Sequence, residues 1–187
     1  MKIGIIEGSI REGRSGASVA KWVAQQAQGR DAEYVLLVLA DFDVPLLTSP
    51  VVPGAAKKQY DSPQVQAWSD AIDSCDGFVF VTPEYNHSVP GAFKNAFDSL
   101  GNEWSNKSVG FVSYGAECGV RAVEHWRQIV ANFNMIGVRT QVSLSTFAEF
   151  DDAQCTPNER RPKELSNLFK AVEGRAGLLA QARRPNG

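Results

Sequence analysis

The chain has 187 residues, of which 43% are hydrophobic and 21% are charged, and its formal net charge is −2 at pH 7. This composition fits a soluble globular protein with a full core and excludes a disordered chain, so we expect a single domain over residues 1–187. The small net charge excludes a general attraction to nucleic acid or to an anionic membrane. No apolar stretch approaches the length of about 20 residues that spans a bilayer, so neither nucleic acid nor a membrane is an expected partner.

The cysteines indicate a reducing compartment. There are three of them, Cys75, Cys118 and Cys155, at wide spacing and without a Cys-x-x-Cys pair. That pattern argues against a disulfide framework and against a zinc site, so no metal site is predicted. The apolar N-terminal run is interrupted by Glu7 too soon to be a signal peptide. We therefore predict a cytoplasmic protein with reduced thiols.

Strand-like and helix-like segments alternate along the chain. The predicted strands are short apolar runs at residues 3–6, 34–39, 78–81, 109–113 and 142–144. One predicted helix is capped by Ser15, and the others cover residues 62–75, 90–100, 120–133 and 162–182. Apolar strands that alternate with helices are typical of a parallel sheet covered on both faces. We predict a doubly wound five-stranded α/β fold with strand order 2-1-3-4-5 and the fifth strand at an edge.

The segment after the first predicted strand has the composition of an anion-binding loop. Residues 8–15, the anion loop, read Gly-Ser-Ile-Arg-Glu-Gly-Arg-Ser and lead into a helix. The N–H groups and the dipole at a helix N-terminus both favour an anion. Ser9 and Ser15 add hydroxyl donors, and Arg11 and Arg14 add guanidinium groups that suit phosphate geometry.

The segment after the third predicted strand carries a carboxylate, an aromatic ring and an amide. Residues 82–90, the ring loop, read Thr-Pro-Glu-Tyr-Asn-His-Ser-Val-Pro. Pro83 turns the chain where the strand ends, and Glu84, Tyr85 and Asn86 follow it. The strand order 2-1-3-4-5 puts this loop beside the anion loop at the switch point, where such sheets bind ligands. Together the two loops predict a site for a flat ring system with a phosphate tail, such as a flavin.

These motifs resemble a known family. The Gly-Ser-Ile-Arg segment with Arg14, the Pro-Glu-Tyr-Asn segment, and the helix with Lys94, Asn95 and Asp98 are similar to the NADPH-dependent FMN reductases. That family includes bacterial chromate and quinone reductases and some azoreductases, and the resemblance spans about the first 145 residues. It implies a flavodoxin-like fold, FMN bound without covalent attachment, and a homodimer or homotetramer.

The resemblance also implies roles for particular residues. Ser9 and Arg11 hold the FMN phosphate, and Arg14 and Ser15 are candidates for the second phosphate contact. Four residues of the ring loop line the isoalloxazine: Pro83, Glu84, Tyr85 and Asn86. A further loop closes the pyrimidine side of the flavin with Ser113, Tyr114, Gly115 and Ala116.

The implied reaction is carried by the cofactor. NADPH or NADH gives a hydride to the flavin, which then passes electrons to a small-molecule acceptor such as a quinone, free flavin, azo dye or metal ion. The hydride step needs no side-chain acid or base, so we expect cofactor-binding residues and no catalytic residue. Apolar residues at 87–93 beside the ring loop predict an exposed surface for a subunit contact.

Other classes of protein stay open. The anion loop nearly fits a P-loop with Arg14 in place of lysine, which would indicate a nucleotide-binding NTPase. No strand ends in the aspartate expected to help hold magnesium, which counts against that class. The dinucleotide fingerprint Gly-x-Gly-x-x-Gly is missing after the first strand, which counts against a Rossmann dehydrogenase. An FMN-binding electron carrier or regulatory protein would use the same loops, but the long connection at residues 40–63 leaves room for a substrate.

Overall fold

The computed structural model describes residues 1–183. Its centre is a five-stranded parallel sheet in the order β2-β1-β3-β4-β5, which confirms the predicted doubly wound fold. The strands of this sheet are β1 (Lys2–Glu7), β2 (Glu33–Val38), β3 (Gly77–Pro83), β4 (Ser108–Gly115) and β5 (Ile136–Ser145). The helices are α1 (Gly16–Gln26), α2 (Leu39–Phe42), α3 (Pro63–Asp73), α4 (Gly91–Asp98), α5 (Val120–Ala131) and α6 (Arg161–Arg183). The predicted single domain includes residues 184–187, which lie outside the described residues, and it stays a prediction.

The sheet separates an aromatic core from an aliphatic one. Because side chains alternate along a strand, Phe78 and Phe80 of β3 enter one core and Val79 and Val81 enter the other. The ring of Phe80 lies between aromatic neighbours, with its centroid 5.3 Å from that of Trp126. The aromatic core packs under α3, α4 and α5, and the aliphatic core packs under α1 and α6. Among residues 1–183, no helix has both the length and the apolar content needed to cross a membrane.

Three elements differ from the sequence prediction. Helix α2 starts at Leu39, which was predicted to belong to the second strand. A small antiparallel hairpin, β6 (Phe150–Asp151) and β7 (Gln154–Cys155), lies where no strand was predicted. Strand β5 begins at Ile136, well before the predicted start, and its pairing with β4 is irregular between Val109 and Phe111. An edge strand tolerates such an irregularity because only one neighbour constrains its register.

One buried carboxylate fastens the chain after β5 to the sheet. Glu149 is 2% exposed and accepts hydrogen bonds from the Ser145 N–H at 3.2 Å, the Asn158 amide at 2.7 Å and the Arg161 guanidinium at 2.7 and 2.9 Å. Burial acts to raise the pKa of Glu149, but these donors outweigh it and the pKa is lowered. Since Arg161 begins α6, the contact joins the end of β5 to a helix that covers the aliphatic core.

We predict that Glu149→Gln lowers the free energy of unfolding by about 2–3 kcal/mol at pH 7, because it weakens charged hydrogen bonds. The control is Glu164→Gln, since Glu164 also pairs with Arg161 but has a side chain that is 27% exposed; its cost is expected below about 1 kcal/mol. Urea unfolding at several pH values measures both.

The pH dependence has a defined sign. The folded-state pKa of Glu149 is depressed, so its contribution is complete well above the ordinary value of 4.5 and is lost as the pH falls towards the folded-state pKa. The difference between wild type and Glu149→Gln must therefore shrink below about pH 4.5. A difference that is constant with pH, or equal to that of Glu164→Gln, contradicts the assignment.

Candidate functional site

Three loops meet at the carboxyl edge of the sheet. Strands β1, β3 and β4 are neighbours, with Glu7 paired to Val81 and Pro83 paired to Tyr114. The anion loop follows β1, the ring loop begins with the last two residues of β3 and continues beyond it, and residues 116–119, the β4 loop, follow β4. Parallel strands end at the same edge, so loops that are distant in sequence form one surface.

The anion loop and the ring loop join through two hydroxyl groups. Ser9 is 1% exposed, and its Oγ lies 2.6 Å from the Tyr85 hydroxyl. The guanidinium carbon of Arg11 lies 5.9 Å from the centroid of the Tyr85 ring, and the Arg11 N–H donates to Ser9 Oγ at 3.5 Å. Two hydroxyls and a guanidinium therefore lie near one another, which is a donor set suited to a phosphate group. Sequence reasoning assigned Tyr85 to the ring alone and missed its approach to Ser9.

Glycine is required where the anion loop begins. A Cβ at Gly8 would lie 2.1 Å from the ring of Phe93 in α4, so the backbone rests directly on that ring. The Gly8 N–H donates to the Val81 carbonyl at 3.0 Å. Gly13 has a φ of 64°, in the left-handed region that glycine adopts without strain. The loop is therefore seated on α4 and β3.

Arg14, the second arginine of the anion loop, is hydrogen-bonded to other residues of the protein. Arg14 Nε donates to the carboxylate of Glu7, and Arg14 Nη1 donates to the Arg11 carbonyl at 3.4 Å. Glu7 is 2% exposed, so Arg14 neutralises a buried charge beneath the loop. Sequence reasoning missed Glu7 as a site residue, although a carboxylate that ends an apolar strand and an arginine in the following loop were visible. Ser15 occupies the predicted N-cap position of α1, but its side chain makes no capping hydrogen bond.

The ring loop has a tight two-residue turn. The Tyr85 N–H donates to the Ser88 carbonyl at 3.0 Å, and the Ser88 N–H donates to the Tyr85 carbonyl at 3.1 Å. Asn86 and His87 form the exposed tip with φ values of 48° and 73°, a turn type in which asparagine is favoured. Ser88 Oγ lies 2.8 Å from Nδ1 of His125 in α5. The turn is therefore fixed by its own backbone and by α5.

The carboxylate of the ring loop has a structural partner. Glu84 accepts hydrogen bonds from both the backbone N–H and the guanidinium of Arg121, in the first turn of α5. Burial acts to raise the pKa of Glu84, but Arg121 outweighs it and the pKa is lowered. The Glu84 N–H donates to the Tyr114 carbonyl at 3.2 Å, directly beyond Pro83. Glu84 thus ties the ring loop to α5 and to β4.

The predicted pyrimidine-side residues divide into two kinds. Ser113 is fully buried, and its hydroxyl donates to the Cys118 carbonyl at 2.7 Å, so it braces the β4 loop from inside. Gly115 is partly exposed, and Ala116 is exposed at the rim. Gly115 and Ala116 are therefore the more accessible residues of this segment.

Tyr114 lies under the anion loop. Its side chain is buried, and burial raises the pKa of its hydroxyl. Its ring packs near that of Phe150 in the hairpin, with centroids 6.0 Å apart. A Cβ at Gly16 would be 2.5 Å from the Tyr114 hydroxyl, so this phenol sits against the first turn of α1. Tyr114 supports the helix that begins after the anion loop.

A separate cavity of about 670 Å³ lies between α3 and the long connection after β2. Asn95 braces this connection: its side-chain oxygen accepts from the Leu47 N–H at 3.0 Å, and its amide donates to the Pro45 carbonyl at 2.9 Å. The cavity is bounded by residues 45–66 and Ser99, and no predicted cofactor-binding residue lines it. The converging donors at the carboxyl edge form a different site.

Comparisons with known proteins identify the family. The model of the NADPH-dependent FMN reductase family matches residues 1–149. An NAD(P)H-dependent FMN reductase from Nectria sp is 43% identical over 126 residues, 65% of this chain and 63% of that protein. The quinone reductase of Escherichia coli is 33% identical over 129 residues, 66% of this chain and 65% of that protein. The chain thus spans slightly less than two thirds of the length of these two relatives.

A solved structure supports the fold. The flavoenzyme NAD(P)H:(acceptor) oxidoreductase FerB from Paracoccus denitrificans superposes with a TM-score of 0.71 at 22% identity, covering 96% of this chain and 97% of that one. At this identity the likeness concerns the fold, which is flavodoxin-like as predicted. With the family model matching residues 1–149, the resemblance predicted from the sequence is confirmed: the chain belongs to the NADPH-dependent FMN reductase family.

Proposed function

We propose that the protein binds FMN at the carboxyl edge of the sheet and uses NADPH or NADH to reduce a small-molecule acceptor, with a quinone as the leading candidate. The observation that carries this proposal is the convergence of Ser9, Tyr85 and Arg11 beside an exposed backbone rim. The names of the Nectria and Escherichia coli relatives support the donor and the quinone. When bound, FMN supplies two-electron chemistry: NAD(P)H, a proton and a quinone become NAD(P)⁺ and a hydroquinone.

The chain's own residues then bind and orient the cofactor. Ser9, Tyr85 and Arg11 hold the phosphate, and Arg14 acts indirectly because it is paired with buried Glu7. Ser9 and Arg11 lie between β1 and α1, and the N-terminus of a helix favours an anion. Because Arg14 is already paired with Glu7, Arg11 is the side chain whose charge we assign to the phosphate.

The ring of the flavin would meet backbone groups. The N–H groups of Glu84 and Tyr85 already bind carbonyls, so their loop is held in shape. Asn86 and Ala116 are exposed on either side of this braced region, and their N–H groups are the ones we assign to the polar edge of the flavin. Pro83, the last residue of β3, is buried.

The ion pair under the anion loop argues against the NTPase alternative. In a P-loop the residue at the position of Arg14 reaches the terminal phosphates of the nucleotide. Here Arg14 is bound to Glu7, and pulling it away would leave a buried carboxylate uncompensated, which is strongly unfavourable. The pairing of Arg14 with Glu7 does not argue against an electron carrier without an acceptor site. Membership of the reductase family favours an enzyme over such a carrier.

A homodimer or homotetramer is part of the proposal, as is a cytoplasmic location. The apolar surface predicted at residues 87–93 is wrong in part, because Pro90 and Phe93 are buried. Exposed apolar side chains occur instead in the connection after β2, where Leu46 and Val52 are 76% and 71% exposed; such a cluster favours a subunit contact. The location rests on the cysteine pattern of the sequence, which lacks a disulfide framework and is typical of a reducing compartment.

We predict that Arg11→Ala weakens FMN binding by about 1.5–3 kcal/mol, the range for a hydrogen bond to a charged group. Riboflavin lacks the phosphate, so wild type should bind it far more weakly than FMN, and Arg11→Ala should leave its affinity unchanged. Fluorescence titration of the flavin-free protein measures both. The matched control is Arg139→Ala, which removes the same charge at an exposed position in β5.

Arg14→Ala should weaken FMN binding less than Arg11→Ala, while lowering the free energy of unfolding because Glu7 loses its partner. The reverse order of affinities would show that Arg14 is the phosphate ligand. Equal affinities of wild type for FMN and riboflavin would contradict the phosphate site altogether.

The activity is tested by oxidation of NADPH and NADH with FMN-loaded protein and 1,4-naphthoquinone. We expect FMN-loaded protein to oxidise at least one of the two donors rapidly and only when quinone is present. Protein from which the flavin has been removed should oxidise neither donor faster than free FMN does. A yellow protein that turns over no donor would be an electron carrier, and ATP hydrolysis by flavin-free protein would support the NTPase.

We predict a dimer or tetramer at micromolar concentration, measured by light scattering over a dilution series. Leu46→Ser combined with Val52→Ser should shift the mass towards the monomer, because it removes apolar surface from the contact. The control Leu178→Ser changes an exposed apolar residue of α6 that is 59% exposed. A fully active wild-type monomer would contradict the need for a partner.

A further inference from the structure

We propose that Phe147 is the docking surface for the aromatic ring of the electron acceptor. This inference rests on the proposed function, because it names a specificity residue for the acceptor of that same site. It depends on three observations: the exposure of Phe147, the rigidity of its turn, and the position of that turn at the sheet edge.

Phe147 combines high exposure with a fixed backbone. Its side chain is 84% exposed, more than any other large apolar side chain among residues 1–183. A single exposed apolar residue is common and by itself indicates nothing. Here, however, hydrogen bonds fix the backbone of the turn at residues 145–149. The Phe147 N–H donates to Ser145 Oγ at 3.3 Å, and the Glu149 N–H donates to the Ser145 carbonyl at 2.9 Å. The buried Glu149 carboxylate holds the Ser145 N–H from the other side.

The turn lies next to the predicted flavin rim. Ser145, the last residue of β5, pairs with Gly115, the last residue of β4. The Thr146 N–H donates to the Gly115 carbonyl at 3.1 Å, so Phe147 is one residue beyond a direct contact with the rim. The same edge carries Ala116, which we assigned to the flavin. A ring held over the flavin would thus have Phe147 as its neighbour on the β5 side.

The charges near Phe147 favour a neutral ring over the phosphate-bearing donor. Glu117 in the β4 loop and Asp151 and Asp152 in the hairpin are exposed and acidic. Two arginines of the adjoining elements are engaged, since Arg121 at the start of α5 binds Glu84 and Arg161 at the start of α6 binds Glu149. NADPH and NADH carry several negative charges, which these acidic side chains repel. A quinone carries no charge and is not repelled. Stacking on an aromatic face suits a planar neutral ring.

The test uses the FMN-loaded full-length protein with two acceptors, 1,4-naphthoquinone and ferricyanide, which has no ring. We expect Phe147→Ala to raise the KM for naphthoquinone about tenfold, equivalent to about 1.4 kcal/mol, with the KM values for ferricyanide and the nicotinamide donor changed less than about twofold. Calorimetric titration of the oxidised protein with naphthoquinone, without donor, should show the same loss of affinity. Phe147→Tyr should retain wild-type values, and Leu178→Ala serves as the control for an exposed apolar side chain.

The outcomes separate the two proposals. If wild type reduces both acceptors and Phe147→Ala behaves like wild type, the role of Phe147 is contradicted while the proposed function stands. An equal effect on both acceptors, or a larger effect on the KM for the donor, also overturns it. Dissociation of the oligomer by Phe147→Ala would show that the side chain packs against a second copy instead. If wild type reduces neither acceptor, the proposed function itself has failed.

Discussion

The pairing of β1 with β3 is the constraint on which the site depends. It brings Ser9 and Tyr85, which are 76 residues apart in the sequence, to within 2.6 Å. The pairing is stable because both strands are apolar on both faces and are buried between two cores, so their register cannot slip without exposing large rings. Everything at the carboxyl edge follows from it: the anion loop meets the ring loop, and Arg11 reaches the Tyr85 ring.

Three buried glutamates hold the three segments around this edge. Each is paired with an arginine: Glu7 with Arg14 in the anion loop, Glu84 with Arg121 behind the ring loop, and Glu149 with Arg161 behind the turn after β5. The glutamate side chains are only 3%, 7% and 3% exposed. Carboxylates so close to a phosphate site would repel it if they were uncompensated. The pairs instead fix the loop backbones, and fixed donors lose little entropy when a ligand binds.

The fold was predictable because its signals are local. The apolar strands, the capping residue Ser62 with its proline and the periodic faces of the helices each lie within one segment, and the rule for parallel sheets then orders them. The loops that form the site were predictable for the same reason. Even the inward direction of Ser113 was present in the sequence, since it shares a strand face with buried Phe111.

The contacts within the site were not predictable, because they join distant segments. Nothing near Tyr85 in the sequence indicates that its hydroxyl reaches Ser9, and nothing near Glu84 points to Arg121. The strands of the hairpin after Glu149 have two residues each, which is too short for a strand pattern to be visible in the sequence. The position of Phe147 beside Gly115 depends on the length and register of β5 against β4, and the predicted strand at residues 142–144 was too short to fix that register.

A crystal structure of the protein with FMN tests the central claim most directly. The account predicts the phosphate within hydrogen-bonding distance of Ser9 Oγ, the Tyr85 hydroxyl and the Arg11 guanidinium, with Arg14 still bound to Glu7 and the flavin ring along the ring loop. Flavin density in the cavity bounded by residues 45–66, or a phosphate bound by Arg14 with Glu7 displaced, would contradict it.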